Sequence, residues 1–335
     1  MTKLPIGKLP PDVPEKLFNK IPILDKKVIV GPGTGMDCAV IDFGNQYLVL
    51  KSDPISLTSE NIAWYAVQIN VNDIVTTAAD PRWMLTTLLL PENNTSVQMV
   101  ENITTQLINA TKEFGITIVG GHTEITRGID RPILSAALIG TVDKDKLITP
   151  AGVETGDTIF LTKEIAIETV SILSNDFANS LREHLTEQEL DEAQSYHFEP
   201  GISIYKEATL IRDGFDVTAM HDPTEGGLSA ALWELSIASN KMLMIYPDKI
   251  PVSELTKKIC NHFLINPINS ISSGALIFTA KENRTKDILK IMEKNDIKVS
   301  VIGYVSGEGT GVINSTESGQ FPMLRPERDE ITKVF

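Results

Sequence analysis

Cysteine is almost missing from this chain: 335 residues carry only Cys38 and Cys260. Two thiols cannot build a disulfide framework, so nothing implies an oxidising compartment, and both read as buried small hydrophobes. Long apolar runs are missing too. None reaches the roughly 18 residues that suggest a membrane span, so no membrane partner is expected. The amino terminus, MTKLPIGKLPPDVPEKL, lacks the apolar stretch of a secretory signal, which makes the cytoplasm the expected location. Basic residues are in deficit, 30 against 44 acidic, for a net charge of −14. That balance opposes a polyanionic backbone, and no nucleic-acid partner is expected. Solubility accounts for most of the acid excess.

What is present is an ordinary globular composition, 42% hydrophobic and 22% charged, over a length that suggests two domains. Strand-like runs at 27–30, 38–43 and 46–53 precede a helix through SENIAWYAVQINVNDIVTTAA. Ser59 is its expected N-cap and Asp80–Pro81 its stop. RWMLTTLLL reads as a strand. Val97, Val100, Ile103, Leu107, Ala110 and Phe114 mark one face of a helix that Gly115 ends. ITPAGVETGD (148–157) reads as a boundary, giving domains 1–150 and 151–335. The second half repeats the rhythm: a strand at TIFLTKE, a helix over 165–185, a helix closed by Gly214, and a short strand VTAM. A helix to Asn240, KMLMIYP, a helix after Ser253, ALIFTA, a helix over 284–295 and KVSVIGYVS follow. The tail after Gly307 reads as polar and loose. Helices layered on sheets, an α/β (α+β) architecture, is the expected fold class.

Several residues are harder to assign to structure alone. Gly31, Gly33 and Gly35 would let backbone approach a ligand, or simply make a turn. Asp37 opens an apolar strand, and Asp53 ends another before a proline. Each is equally readable as an edge aspartate or turn residue. Asn70, Asn72 and Asp73 interrupt an otherwise apolar helix, and a buried carboxylate there needs a hydrogen-bond partner or a cation. Gly120 and Gly121 read as a turn exposing amides, which with the Thr123 hydroxyl could cradle an anion. His122 is a lone histidine, without the spacing of a zinc site. In AMHDPTEGGLSAAL (219–232), Asp222 or Thr224 would cap the following helix, while the two glycines also suit a phosphate site. Four carboxylates at element ends, Asp37, Asp53, Asp73 and Asp222, suit Mg²⁺ bound to a nucleoside triphosphate, since like charges crowd together only around a cation.

The ordered series GMDCAVI, KSDPIS, NVNDIVTTAADP, VGGHTEIT and HDPTEGGL resembles the aminoimidazole ribonucleotide synthetase (PurM-like) superfamily. That group includes the hydrogenase-maturation factor HypE, selenophosphate synthetase and thiamine-monophosphate kinase. NVNDIVTTAADPRWM and DPTEGGL look most like HypE, and the match runs from IGKLPP to about residue 306. The resemblance implies an amino-terminal ATP-binding domain that shares a β-barrel with its copy in a homodimer, a carboxy-terminal α/β domain, and ATP in the cleft between them. It further implies that Asp37, Asp53 and Asp73 hold Mg²⁺ against the phosphates and that Asp222 joins them. Asp73 and Asp222 would act in catalysis, and Gly120, Gly121, Thr123 and Asn72 would bind ATP. The implied chemistry is ATP-driven activation of a carbamoyl, amide or phosphate oxygen by phosphoryl transfer, in hydrogenase or metal-cofactor maturation.

HypE acts on a carbamoyl group carried by a carboxy-terminal cysteine, whereas this sequence ends PERDEITKVF. The Cys or selenocysteine loop of selenophosphate synthetase and the substrate loop of thiamine-monophosphate kinase are not seen either. Two readings therefore stand side by side: an ATP- and Mg²⁺-dependent enzyme acting on a small-molecule or protein-carried acceptor, and a nucleotide-binding assembly or regulatory protein without turnover.

Overall fold

A computed structural model describes residue 4 and residues 7–18, 20–55 and 60–335. In chain order the first elements are α1 (Asp12–Phe18), β1 (Val28–Val30), β2 (Ala39–Phe43), β3 (Gln46–Ile55), α2 (Ile62–Thr76), β4 (Asp80–Pro91), α3 (Val97–Glu113), β5 (Thr117–Thr126) and β6 (Ile133–Asp143). There follow β7 (Asp157–Thr162), α4 (Ile167–Asp176), α5 (Ala178–Leu181), α6 (Glu187–Gln194), α7 (Tyr205–Gly214), β8 (Val217–His221), α8 (Gly227–Ser239) and β9 (Lys241–Ile245). The last are α9 (Glu254–His262), β10 (Ile277–Lys281), α10 (Thr285–Lys294), β11 (Val299–Glu308), β12 (Gly311–Thr316) and β13 (Gly319–Pro322). These elements form two compact units of mixed α/β build. One comprises Leu24–Gly31 and Asp37–Leu147; the other comprises Ile148–Phe335, Pro32–Met36 and the described residues up to Ile23. Among the described residues no helix is long and apolar enough to cross a membrane.

The first unit is a six-stranded sheet in the order β1-β2-β3-β6-β4-β5. All its pairings are antiparallel except β4 with β5, which α3 connects as a crossover. β6 alternates strictly between buried and half-buried residues along its length. Its buried face, Leu134, Ala136, Leu138, Gly140 and Val142, lies under α2, which packs on β3, β6 and β4. α2 is buried all round, from Ile62 to Thr76 apart from Trp64, as a helix enclosed on every side must be. Gly140 sets how closely it can sit. A Cβ there would stand 2.7 Å from Ile74 Cγ2 and 2.9 Å from the Asp80 carbonyl oxygen.

The second unit is a seven-stranded sheet in the order β13-β12-β9-β11-β7-β10-β8. Every residue of β7 is buried, the mark of a strand covered on both faces. Phe160 on β7 and Phe278 on β10 are directly paired and stack with centroids 4.7 Å apart. Leu228, Leu232 and Leu235 of α8 pack into one core with Ile159, Leu161, Leu243, Ile245 and Ile277.

Several expectations need correction. Ser59 lies outside the described residues; α2 starts at Ile62 behind Asn61, which is left-handed (φ 54°) and makes no side-chain cap. The helix stops at Thr76 rather than at Asp80, because the chain turns at Ala78 (φ 65°) and Asp80–Pro81 already belong to β4. Residues 165–185 hold two helices, α4 and α5, separated at Phe177. Gly120 and Gly121 sit inside β5, not in a turn. Gly121 is required there because a Cβ would meet the Thr86 carbonyl oxygen at 2.1 Å. The tail after Gly307 is not loose: β12 pairs parallel with β9 and β13 extends the sheet.

Gly140→Ala should lower stability by about 1–3 kcal/mol, the usual cost of overpacking a tight core. The shift in chemical-denaturation midpoint checks it, and an unchanged midpoint would show that α2 can lift away from β6 freely.

Candidate functional site

The first unit brings two of the acidic residues singled out above onto one cation, and a third acts on it from further away. Asp53 and Lys51 leave the same face of β3, two residues apart. Asp73 comes from the last turn of α2 with its side chain 3% exposed. Lys51 Nζ lies 3.1 Å from Asp53 Oδ2 and 3.3 Å from Asp73 Oδ2. Burial pulls the ammonium's pKa down, but Asp73, Asp53 and Asp37 together hold it well above the ordinary lysine range. Cys38 joins this cluster, its thiol donating to the Asp73 carbonyl oxygen at 3.3 Å. Breaking one partner of such a buried pair costs about 3–5 kcal/mol. Asn72 is fully buried in α2 beside Asp73. Asn70 is likewise buried and spends its amide on the Ala66 carbonyl at 2.8 Å.

Gly120, Gly121 and Thr123 are exposed on β5, at the sheet edge, and do not touch these acids. Asp53 pairs with Ala136, Ala136 with Thr86, and Thr86 with Gly121, so Asp53 and Gly121 stand on one row. Three strand spacings separate them by roughly 14 Å. His122 Nε2 meets Glu124 Oε2 at 3.2 Å on the exposed surface.

Asp222 belongs to the second unit, where it is 1% exposed at the end of β8. Neither Asp222 nor Thr224 caps α8. The N-cap is Gly226, left-handed at φ 86° with no side-chain bond of its own. Its N–H instead donates to Asp329 Oδ2 at 2.6 Å, across 103 residues of sequence. Gly227 is dictated by close packing, since a Cβ would stand 2.6 Å from the Ser270 carbonyl oxygen. Gly35 has a similar reason: its Cβ would meet the Glu234 carbonyl oxygen of α8 at 2.6 Å.

Around this turn the second unit collects several acids. Burial pushes Glu168 up to about 7; the Ser273 hydroxyl opposes the rise, while Glu225, Asp329 and Asp222 add to it. Burial likewise pushes Asp329 to about 6, against the pull of the Gly226 and Ile331 amides. Next to Asp222, His221 Nε2 lies 3.0 Å from Glu234 Oε2. Burial would raise Glu234, but Lys8 and His221 overcome it and hold the carboxyl at about 2. Lys51, Glu168 and Asp329 escape sequence reading. Only the period-two spacing to Asp53 could have flagged Lys51, and nothing local marks the other two.

An acid raised in the folded chain keeps its proton longer than in the unfolded chain. The stability from protonated Glu168 is full below about 4.5 and is lost as the pH rises to about 7. In metal-free buffer, Glu168→Gln should flatten this decline and exceed the parent by roughly 2–3 kcal/mol at pH 8. Denaturant midpoints at pH 5 and pH 8 check it, and parallel pH curves would contradict it.

Comparison with known proteins agrees with this build. Residues 35–142 match the AIR synthase related protein, N-terminal domain, and residues 154–314 the corresponding C-terminal domain. A Methanocaldococcus jannaschii protein, provisionally named a hydrogenase expression/formation protein, is 28% identical over 89% of this chain and 88% of its own length. Carbamoyl dehydratase HypE of Rhizobium leguminosarum bv. viciae is 24% identical over 75% of this chain and 70% of its own. A crystal structure of the hydrogenase maturation protein HypE in complex with ATP shares the fold at a TM-score of 0.71, with 20% identity over 95% of this chain and 91% of that one. With both of its halves matched in order, the chain belongs to the AIR synthase-related family.

Proposed function

We propose that this protein is an ATP- and Mg²⁺-dependent enzyme that activates an oxygen of a carbamoyl, amide or phosphate acceptor by phosphoryl transfer, in the setting of hydrogenase or metal-cofactor maturation. The observation that carries the proposal is the convergence of Asp53 and Asp73 on Lys51, with Asp37 close enough to act on the same ammonium. Hard carboxylate oxygens are the ligands that Mg²⁺ takes. In this reading Asp37, Asp53 and Asp73 hold the ion, and Asp73 is fixed by its place in a fully enclosed helix. Bound there, Mg²⁺ would offset charge on the transferring phosphoryl group. HypE, a relative of this chain, has been crystallised with ATP, which supports the nucleotide.

Cys38 and Cys260 are both buried, and burial pushes the Cys260 thiol up to about 12. Neither suits the part of an exposed carrier. The acceptor in this proposal is a small molecule or a group carried on a partner protein.

The sheet face opposite α2 supports a homodimer. Trp83 and Leu85 on β4 are 40% and 41% exposed, with Leu50 and Ile139 half-buried beside them. β5 ends the sheet with Val119 and Ile125 exposed. An uncovered apolar face next to an open strand edge is a site for a partner.

Mg-ATP should raise the melting temperature, and Asp73→Asn should remove most of that gain; equal shifts for both proteins would defeat the proposed site. Turnover would appear as release of ADP or AMP when ATP is incubated with candidate acceptors. In light scattering after size exclusion the parent should run as a dimer and Leu85→Glu as a monomer, whereas a monomeric parent would remove the dimer reading.

A further inference from the structure

Two of the carboxylates assigned to the metal already hold a cation of the protein's own. One ammonium, on a side chain 14% exposed, serves both Asp53 Oδ2 and Asp73 Oδ2. Asp37 adds to the field on the same group. Three carboxylates against one ammonium leave two negative charges, which is what a single divalent ion neutralises. A hard divalent ion would take carboxylate oxygens at about 2.1 Å. An ammonium bound to those same oxygens would then stand within a few ångströms of it, where like charges repel. The oxygens can serve Lys51 or the metal, but not both at full strength.

We propose that Lys51 is the resident counter-ion of this site: a positioning residue that holds Asp53 and Asp73 together while no metal is bound and gives up their oxygens when the metal arrives. Metal affinity is then set from inside the protein, by how much Lys51 must be displaced. The flexible four-carbon stem of lysine lets its compact charge move while β3 stays packed. The inference rests on the metal-nucleotide reading of the same site and adds a competition that the reading does not require.

The test uses the full-length chain without nucleotide, with Mn²⁺ as the probe, titrated by calorimetry and by loss of the free-ion electron-spin signal at pH 8. Lys51→Met should melt lower than the parent in chelator, bind Mn²⁺ about tenfold tighter or better, and recover most of its lost melting temperature once loaded. Lys51→Arg, which keeps the charge, should stay within about threefold of the parent in affinity. If Lys51→Met does not fold without metal, Lys51→Gln prepared in Mn²⁺ and then stripped gives the same comparison. A merely structural lysine would lower the melting temperature without tightening the metal. Equal or weaker Mn²⁺ binding by the folded Lys51→Met protein, with the parent binding normally, overturns this inference alone. If the parent and every variant bind no Mn²⁺, the metal reading and this inference fall together.

Discussion

A carboxylate carried into the protein interior has to be met by positive charge, and in the first unit that single requirement organises the rest. Asp73 rides on a helix with almost no solvent contact, so no water shell can stabilise its charge. Lys51 supplies the answer from the strand below. For the two to meet, α2 must lie close against the sheet, and Gly140 provides the clearance that a side chain would deny. The strict alternation along β6 then seals the helix-facing side with apolar residues. Packing, register and charge compensation support one another here, and none of them is adjustable by itself.

The second unit treats its buried acids differently. Desolvation, with repulsion from neighbouring acids behind it, pushes Glu168 and Asp329 toward neutrality instead. One acid of that group also shapes the backbone, since Asp329 accepts from the amides of Gly226 and Ile331. Nearby, Glu234 is fixed as an anion by Lys8 and His221. Buried carboxylates of one unit are thus held in opposite states, according to whether a cation reaches them or burial prevails.

Much of this architecture was legible in the sequence, for identifiable reasons. The 97–113 helix is visible because its apolar residues keep helical spacing, and Ser96 caps it by accepting from the Met99 N–H at 3.2 Å. β3 and β4 read as strands from their apolar runs. Gly120–Gly121 misled because two glycines signal a turn locally, whereas the reason for Gly121 is the Thr86 carbonyl on another strand. Asp222 and Thr224 looked like caps because cap chemistry is local; the actual acceptor, Asp329, is invisible at that range. The polar tail disguised two strands, β12 paired with the distant β9 and β13 paired with β12. In the acidic cluster the aspartates stood out against apolar neighbours, but Lys51 did not, since a lysine on a strand normally signals solvent. Its role comes from the helix laid over it.

The bond between the Gly226 amide and Asp329 has a consequence for how the molecule is born. A ribosome releases the HDPTEGG segment about a hundred residues before it releases the acid that completes it. Until then the leading amide of α8 has only water to satisfy it, and the acid-rich turn has no finished shape. Early segments of a nascent chain generally begin to fold before later ones emerge. In this protein one of the most chemically loaded turns is completed by a residue made long after it.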